Sequence, residues 1–295
     1  MMGGRVGLGP ALAHFETHLL PLALQEDVGA GDLTTEGIVT GRPRGLAVID
    51  AKDELVVCGL SMAEAVFRTG GEGIRIIRHL AKDGDTVSRG SVVMEVEGDL
   101  ALLLTLERTA LNVLQRLSGI ASRTRTFVRE LEGSRTVLLD TRKTAAGWRL
   151  LEKYAVATGG GANHRLGLHD MVLIKDNHIE AAGGITEAMR RVRRHLEVLP
   201  LPRPWIEVEC ESLGQVEEAL SMGADVIMLD NMDDARIRQA VVRAEGRCKL
   251  EVSGNITAGR LPVLARLGVD FISSGAITHS APAKDLSMTL KRMSA

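Results

Sequence analysis

Apolar residues fall into two rhythms along this chain, and the rhythm changes near position 119. Residues 11–26 carry helical spacing and lead into a turn-rich stretch, EDVGAGDLTTEG. Between Arg44 and Gly98 the pattern shortens to strand-length runs, GLAVIDAK, LVVCGL, IRIIRHL and SVVMEVEG, interrupted by a helix over 61–68. The stretch 100–131 is a long amphipathic helix, with Leu104, Leu111, Leu114 and Leu117 suggesting one buried face. Gly119 is expected to divide it in two and to mark a domain junction. From Thr136 onward, strand and helix patterns alternate without a hairpin signal. The order is VLLD, helix 147–158, MVLIK, helix 186–197, WIEVEC, helix 212–222, DVIMLDN, helix 233–244, KLEVSGN, helix 257–267 and DFISSG.

Such alternation implies right-handed βαβ units and a parallel sheet. In WIEVEC, Ile206, Val208 and Cys210 share one face and Glu207 and Glu209 the other. In KLEVSG, Leu250 and Val252 oppose Glu251 and Ser253. An open parallel sheet is apolar on both faces, so one-sided polarity favours a sheet curled into a barrel. The repeat covers about 160 residues against roughly 250 for eight β/α units, which predicts about six strands in an open barrel. The expected division is a first α/β domain over 1–118, joined by a C-terminal helix over 284–295, and a barrel over 119–283.

Composition narrows the possible functions. The chain has 295 residues and a formal net charge of −2, so nothing draws it to nucleic acid or to a membrane. Two Trp, one Tyr and four Phe are too few for base-stacking platforms. Cys58, Cys210 and Cys248 lie far apart, with neither metal spacing nor a disulfide framework, which favours a reducing cytoplasm. No apolar run approaches the roughly 20 residues that span a bilayer. His14 and His18 have the spacing of a zinc-protease helix, but Phe15 stands where that motif needs its Glu base.

Candidate chemistry concentrates at the carboxyl ends of the repeated strands. The stretch 138–178 carries Asp140, Arg142, Lys143, His164, Arg165, Lys175, Asp176 and His178, a cationic balance suited to a small polyanion. Later strand ends supply Glu209, then Asp230 and Asn231, then Ser253 to Asn255, then Ser273 to Gly275. Six polar strand ends in register describe a ligand site at the C-terminal face. The turns SGNIT and SSGAITHS offer backbone N–H groups to a phosphate. Glu209 and Asp230 either suit a Mg²⁺ bridging to substrate phosphates or balance the charges of Lys143 and Lys175.

ERTALNVLQRLSGIAS, DTRKTAAGWRLLEKYA, GGGANHRLGLHDMVLIKDNH, EVECES, MLDNM, EVSGNIT and ISSGAITHSAP together resemble the quinolinate phosphoribosyltransferase family, nearly end to end. The resemblance implies an N-terminal α/β sandwich domain with an open α/β barrel of the type II phosphoribosyltransferase kind, working as a homodimer or larger homo-oligomer. It implies conversion of quinolinate and phosphoribosyl pyrophosphate to nicotinate mononucleotide, CO₂ and pyrophosphate, with Mg²⁺, in NAD biosynthesis. Carried over by position, Arg142, His164, Arg165 and Lys175 would grip the quinolinate carboxylates, with Arg108 entering from the partner subunit. Lys143 and Lys175 would lie at the pyrophosphate, and Glu209 and Asp230 at the ribose hydroxyls or the metal. Ser253, Gly254, Asn255, Ser274 and Gly275 would surround the 5′-phosphate, Ser274 standing where many relatives carry an apolar residue. The competing readings are a related type II enzyme, nicotinate-specific or molybdenum-associated, and a non-catalytic phosphate-ligand sensor. A mono-acid pocket needs fewer cations than this set provides, and a sensor needs neither the acidic pair nor the lysines.

Overall fold

The structure, a computed structural model, describes residues 2–200 and 202–293. The chain divides into two compact units. One comprises Val6–Arg125, Ala145–Gly160 and the segment from Ser280 onward; the other is built from Thr126–Thr144 and Gly161–His279, together with the first few residues.

The first unit contains strands β1 (Arg44–Ala51), β2 (Leu55–Val56), β3 (Ile74–His79), β4 (Thr86–Val87) and β5 (Val92–Asp99). β1 and β3 both pair antiparallel with β5. Burial along β1 alternates residue by residue, with Ala47, Ile49 and Ala51 inside, as the period of two requires. The long helix forms as expected but is continuous from Leu100 to Arg129. Gly119 does not break it. A Cβ at Gly119 would collide with the carbonyl oxygen of Pro282, so this glycine permits a close backbone approach.

The second unit carries the repeat: β6 (Val137–Leu139), β7 (Val172–Ile174), β8 (Ile206–Cys210), β9 (Val226–Asp230), β10 (Lys249–Ser253) and β11 (Phe271–Ser273). All six are parallel, in the order β6-β11-β10-β9-β8-β7. Successive strands are neighbours except β6 and β7, so the open seam of the barrel lies between them. Helices Ile185–Glu197, Leu213–Ser221, Asp234–Ala244 and Leu261–Arg266 follow β7 to β10. Ser212 and Gln215 cap one of these helices reciprocally, and the Asp233 carboxylate accepts the Arg236 N–H at the start of another. Ile206, Val208, Ile227, Leu229, Leu250 and Val252 are all buried, the phase that alternation assigns to the helix side.

Two expectations change here. The helix over 147–158 forms as Arg149–Thr158, but it groups with the first unit. The C-terminal helix expected over 284–295 is instead β12 (Leu286–Arg292), antiparallel to β1, which completes the sheet β12-β1-β5-β3. Leu286, Met288 and Leu290 alternate with Ser287, Thr289 and Lys291, a strand period that outweighs helix propensity. Residues 294 and 295 of that segment lie outside the described residues. Among the described residues no helix is long and apolar enough to cross a membrane.

Candidate active site

A cavity of about 420 Å³ opens at the carboxyl ends of the barrel strands. Twelve of the residues singled out from sequence line it: Arg142, Lys143, His164, Arg165, Lys175, Glu209, Asp230, Asn231, Ser253, Gly254, Asn255 and Ser273. Thr141, Leu173 and Met228 complete the wall. A larger hollow of about 580 Å³ near Arg193, Glu197 and Arg203 lies by the amino ends of β8 and β9 and lacks any such convergence of polar groups. Size does not mark the site; chemistry does.

One wall is cationic. The chain leaves β6 at Asp140 and turns through Arg142 and Lys143, whose backbone carbonyl accepts the Thr278 hydroxyl at 2.8 Å. The Nε of Arg142 is buried and has no hydrogen-bond partner among the described residues, an orphan donor that a bound anion would satisfy. Arg165 is 7% exposed and donates from Nη1 to the Met171 carbonyl at 3.2 Å. Burial, and then the charge of Arg142, pull its pKa below the ordinary value. Two guanidinium groups are thus held against their mutual repulsion. A doubly negative ligand would relieve it.

His164 and Arg165 come from no regular element. Ala162 makes a single parallel bridge to Leu139, so the segment runs beside β6 at the open seam. Asp140, wholly buried, holds the segment there: its carboxylate accepts the Asn163 side-chain amide at 2.7 Å and the His164 N–H at 2.8 Å. The residue beside Arg165 in the cavity lining is His164. Its Nδ1 accepts the Arg165 N–H at 2.7 Å, and its Nε2 lies 3.0 Å from Glu207 and 3.5 Å from Glu251.

The opposite wall mixes acid with phosphate-type turns. Lys175 Nζ lies 3.2 Å from the Glu209 carboxylate, and Asp230 accepts the Asn231 side-chain amide at 2.7 Å. Asn231 and Asn255 hold φ of 51° and 47°, uncommon for residues with a Cβ, and Gly254 holds 94°. A Cβ on Gly254 would strike the Asn231 side chain, so only glycine lets the ends of β9 and β10 approach this closely. Ser274 and Gly275 do not line the cavity. Ser274 accepts the Ala276 N–H and opens the short turn Gly275–Ile277, while Gly275 leaves room for the Lys143 side chain. Glu209 and Asp230, on neighbouring strands and partly exposed, are hard oxygen donors that fit a Mg²⁺ shared with substrate phosphates.

Glu207 and Glu251, both 0% exposed on the inward phase of β8 and β10, form a floor under the His164 ring, outside the cavity lining itself. Burial pushes both up to about 8. Their inward phase was visible in WIEVEC and KLEVSG, but their meeting across the intervening β9 was not. Arg108 is exposed on the helix Leu100–Arg129 of the other unit.

Comparison with known proteins gives a consistent result. The family description "Quinolinate phosphoribosyl transferase, C-terminal domain" matches residues 120–289, and its N-terminal counterpart matches 32–118. The chain is 44% identical over 263 residues to a probable nicotinate-nucleotide pyrophosphorylase [carboxylating] of Bacillus subtilis, covering 89% of each chain. It is 44% identical over 272 residues to a probable nicotinate-nucleotide pyrophosphorylase [carboxylating] of Synechocystis, covering 91% of this chain and 90% of that one. The solved nicotinate-nucleotide pyrophosphorylase of Francisella tularensis superposes with a TM-score of 0.90 at 38% identity, covering 97% of this chain and 99% of that one.

Proposed function

The chain belongs to the quinolinate phosphoribosyltransferase family, and from that premise we infer how its cavity works. It is a decarboxylating phosphoribosyltransferase of NAD biosynthesis: quinolinate and phosphoribosyl pyrophosphate become nicotinate mononucleotide, CO₂ and pyrophosphate. The observation that carries the reading at the level of the site is the pair Arg142 and Arg165, two cations facing each other with an orphan donor between protein and cavity. A di-acid satisfies that arrangement better than the mono-acid of the nicotinate-specific reading.

In this reading Arg142 and Arg165 bind the two carboxylates of quinolinate and orient its ring nitrogen toward the anomeric carbon of the ribose. Lys143 and Lys175 receive the charge that develops on the departing pyrophosphate. Glu209 and Asp230 hold the ribose hydroxyls and stabilise the positive charge growing at the anomeric carbon. A Mg²⁺, held by these two carboxylates and mainly by the substrate's phosphates, would supply further neutralisation of the leaving group. Ser253, Gly254 and Asn255 cradle the 5′-phosphate through backbone N–H groups, with Ser274 and Gly275 shaping the turn beside them. Once the pyridine nitrogen is quaternary, loss of the adjacent carboxylate leaves a carbanion next to N⁺, so the substrate is its own electron sink.

The working unit in this proposal is a cytoplasmic homodimer in which Arg108 of one protomer reaches a substrate carboxylate in the other's site. Release of CO₂ from carboxyl-labelled quinolinate by the purified protein tests the function. Release is expected only with phosphoribosyl pyrophosphate and a divalent cation present. Turnover of nicotinate with no turnover of quinolinate would transfer the site to the mono-acid reading.

A further inference from the structure

The floor under the His164 ring holds an arrangement that the reaction above does not use. Glu207 and Glu251 are both wholly buried, and the main hydrogen-bonding neighbour of Glu207's carboxyl is that of Glu251, which also has Ser273 beside it. The His164 ring lies against both, with Nε2 3.0 Å from Glu207 and 3.5 Å from Glu251. The three side chains could be read as a metal cage, since their donor atoms lie within 4.8 Å of one another. The other ring nitrogen argues against a cage. Nδ1 accepts the Arg165 N–H at 2.7 Å, so Nδ1 carries a lone pair and the ring proton resides on Nε2. A histidine that ligates a metal needs the reverse, with its lone pair on the ligating nitrogen and its second N–H donated outward.

Two adjacent buried carboxylates stabilise nothing by themselves; each disfavours the charge of the other. Replacing one by a neutral residue of the same shape should leave the fold as stable or more so. An arrangement that weakens the fold persists where the site gains from it. The gain here runs through one residue. The floor faces the imidazole, the imidazole accepts the Arg165 amide, and Arg165 is a buried guanidinium opposed by Arg142. From above, Asp140 grips the backbone of His164, so the ring and the backbone are held by different carboxylates.

We propose that Glu207 and Glu251 are positioning residues for quinolinate, holding the His164 ring so that Arg165 is aimed at a substrate carboxylate before the substrate arrives. The inference rests on the reading of Arg165 as a quinolinate ligand. It separates function from stability in a way that a structural role would not.

The test compares Glu207→Gln, Glu251→Gln and Arg165→Lys with wild type, measuring melting temperature, metal content and steady-state constants for each substrate. Both Gln variants should melt at or above wild type and keep the KM for phosphoribosyl pyrophosphate within about twofold, while the KM for quinolinate rises about tenfold or more. Arg165→Lys should raise the quinolinate KM as well. If it does and the Gln variants do not, the inference fails and the function stands. If wild type does not turn over quinolinate, or Arg165→Lys leaves its KM unchanged, the underlying reading fails and the inference with it. Should one Gln variant not fold, the other carries the same expectation. Unfolding of both, or lower melting with both KM values unchanged, would make the pair structural and overturn the proposal. One equivalent of tightly bound metal in wild type, absent from Glu251→Gln, would overturn it in favour of a cage.

Discussion

Asp140 and the pair Glu207–Glu251 are equally buried, all 0% exposed within the same unit, yet the protein solvates them in opposite ways. Asp140 receives the Asn163 amide and the His164 N–H at 2.7 and 2.8 Å. The glutamates instead have mainly each other, with Ser273 beside Glu251 and the His164 ring against both. Both groups converge on His164, one through its backbone and the other through its ring. A buried carboxylate with donors is a structural clamp, because the donors replace the water it lost. A buried carboxylate whose main neighbour is another carboxylate is a stored cost. The contrast separates what holds the seam segment in place from what tunes its side chains.

The largest effect tests the clamp. Asp140→Ala strands two buried donors and should cost about 3–5 kcal/mol of stability, read from urea denaturation. Glu251→Gln, at equal burial, should cost nothing. Equal losses in the two variants would erase the distinction.

Next in size are the guanidinium groups that the clamp and floor support. Arg142→Lys keeps the charge but loses the fork, and its buried Nε has no protein partner to fall back on. A loss of about 2–4 kcal/mol in transition-state stabilisation is expected, expressed in kcat/KM for quinolinate. Unchanged kinetics would remove Arg142 from the di-acid site.

Much of this geometry was legible in the chain because the barrel reuses one pattern. Each repeat ends a strand with polar residues, so Lys175, Glu209, Asp230 and Ser253 arrive at one rim by topology alone. The parts that stayed hidden depend on contacts between segments with no common period. The run 161–165 has no strand pattern, and its bridge to Leu139 together with the Asp140 carboxylate makes it a wall of the site. Glu207 and Glu251 belong to strands separated by β9, so their adjacency follows from closure of the barrel. Gly119 looks like a helix break when only propensity is considered, whereas the carbonyl of Pro282 explains it. The strand Leu286–Arg292 has a visible period of two, and what selects strand over a helical tail is its pairing with β1, a contact distant in sequence.

Smaller effects separate the rim acids from the floor acids. Asp230→Asn should raise the KM for phosphoribosyl pyrophosphate and the divalent cation requirement by about tenfold, with quinolinate binding little changed. Calorimetry showing the reverse would return Glu209 and Asp230 to charge balance. Arg108 belongs to the same comparison, as the cation that the proposal assigns to the partner protomer. Arg108→Ala and Lys143→Ala subunits, each inactive alone, should regain about a quarter of wild-type activity after random exchange, since half the dimers are mixed and each mixed dimer keeps one intact site. Proven exchange without recovery would place Arg108 outside its partner's site.

The smallest effect is the dependence of stability on pH, and here the two kinds of carboxylate oppose each other in sign. Asp170, beside Arg165, is pulled below its ordinary 3.8. Burial, the largest influence, pushes it up, but the Leu166 and Gly167 N–H groups outweigh this at 2.7 and 2.9 Å. A depressed carboxylate contributes stability that is present above 3.8 and lost as the pH falls through the folded value. Glu251, faced by Glu207, His164 and Ser273, is pushed up to about 8 from 4.5 by burial and then by the charge of Glu207. The native state there keeps a proton that the unfolded chain releases, so this contribution is complete below 4.5 and fades as the pH rises through about 8. Melting temperature should therefore decline on both sides of a plateau. Asp170→Asn should flatten the acid side by a few degrees, and Glu251→Gln should flatten the alkaline side by a similar amount. Scans from pH 3 to pH 9 read both arms in one experiment. An alkaline decline identical in wild type and Glu251→Gln would mean that Glu251 carries its charge at little cost, and Asp140 and the floor pair would then differ in geometry alone.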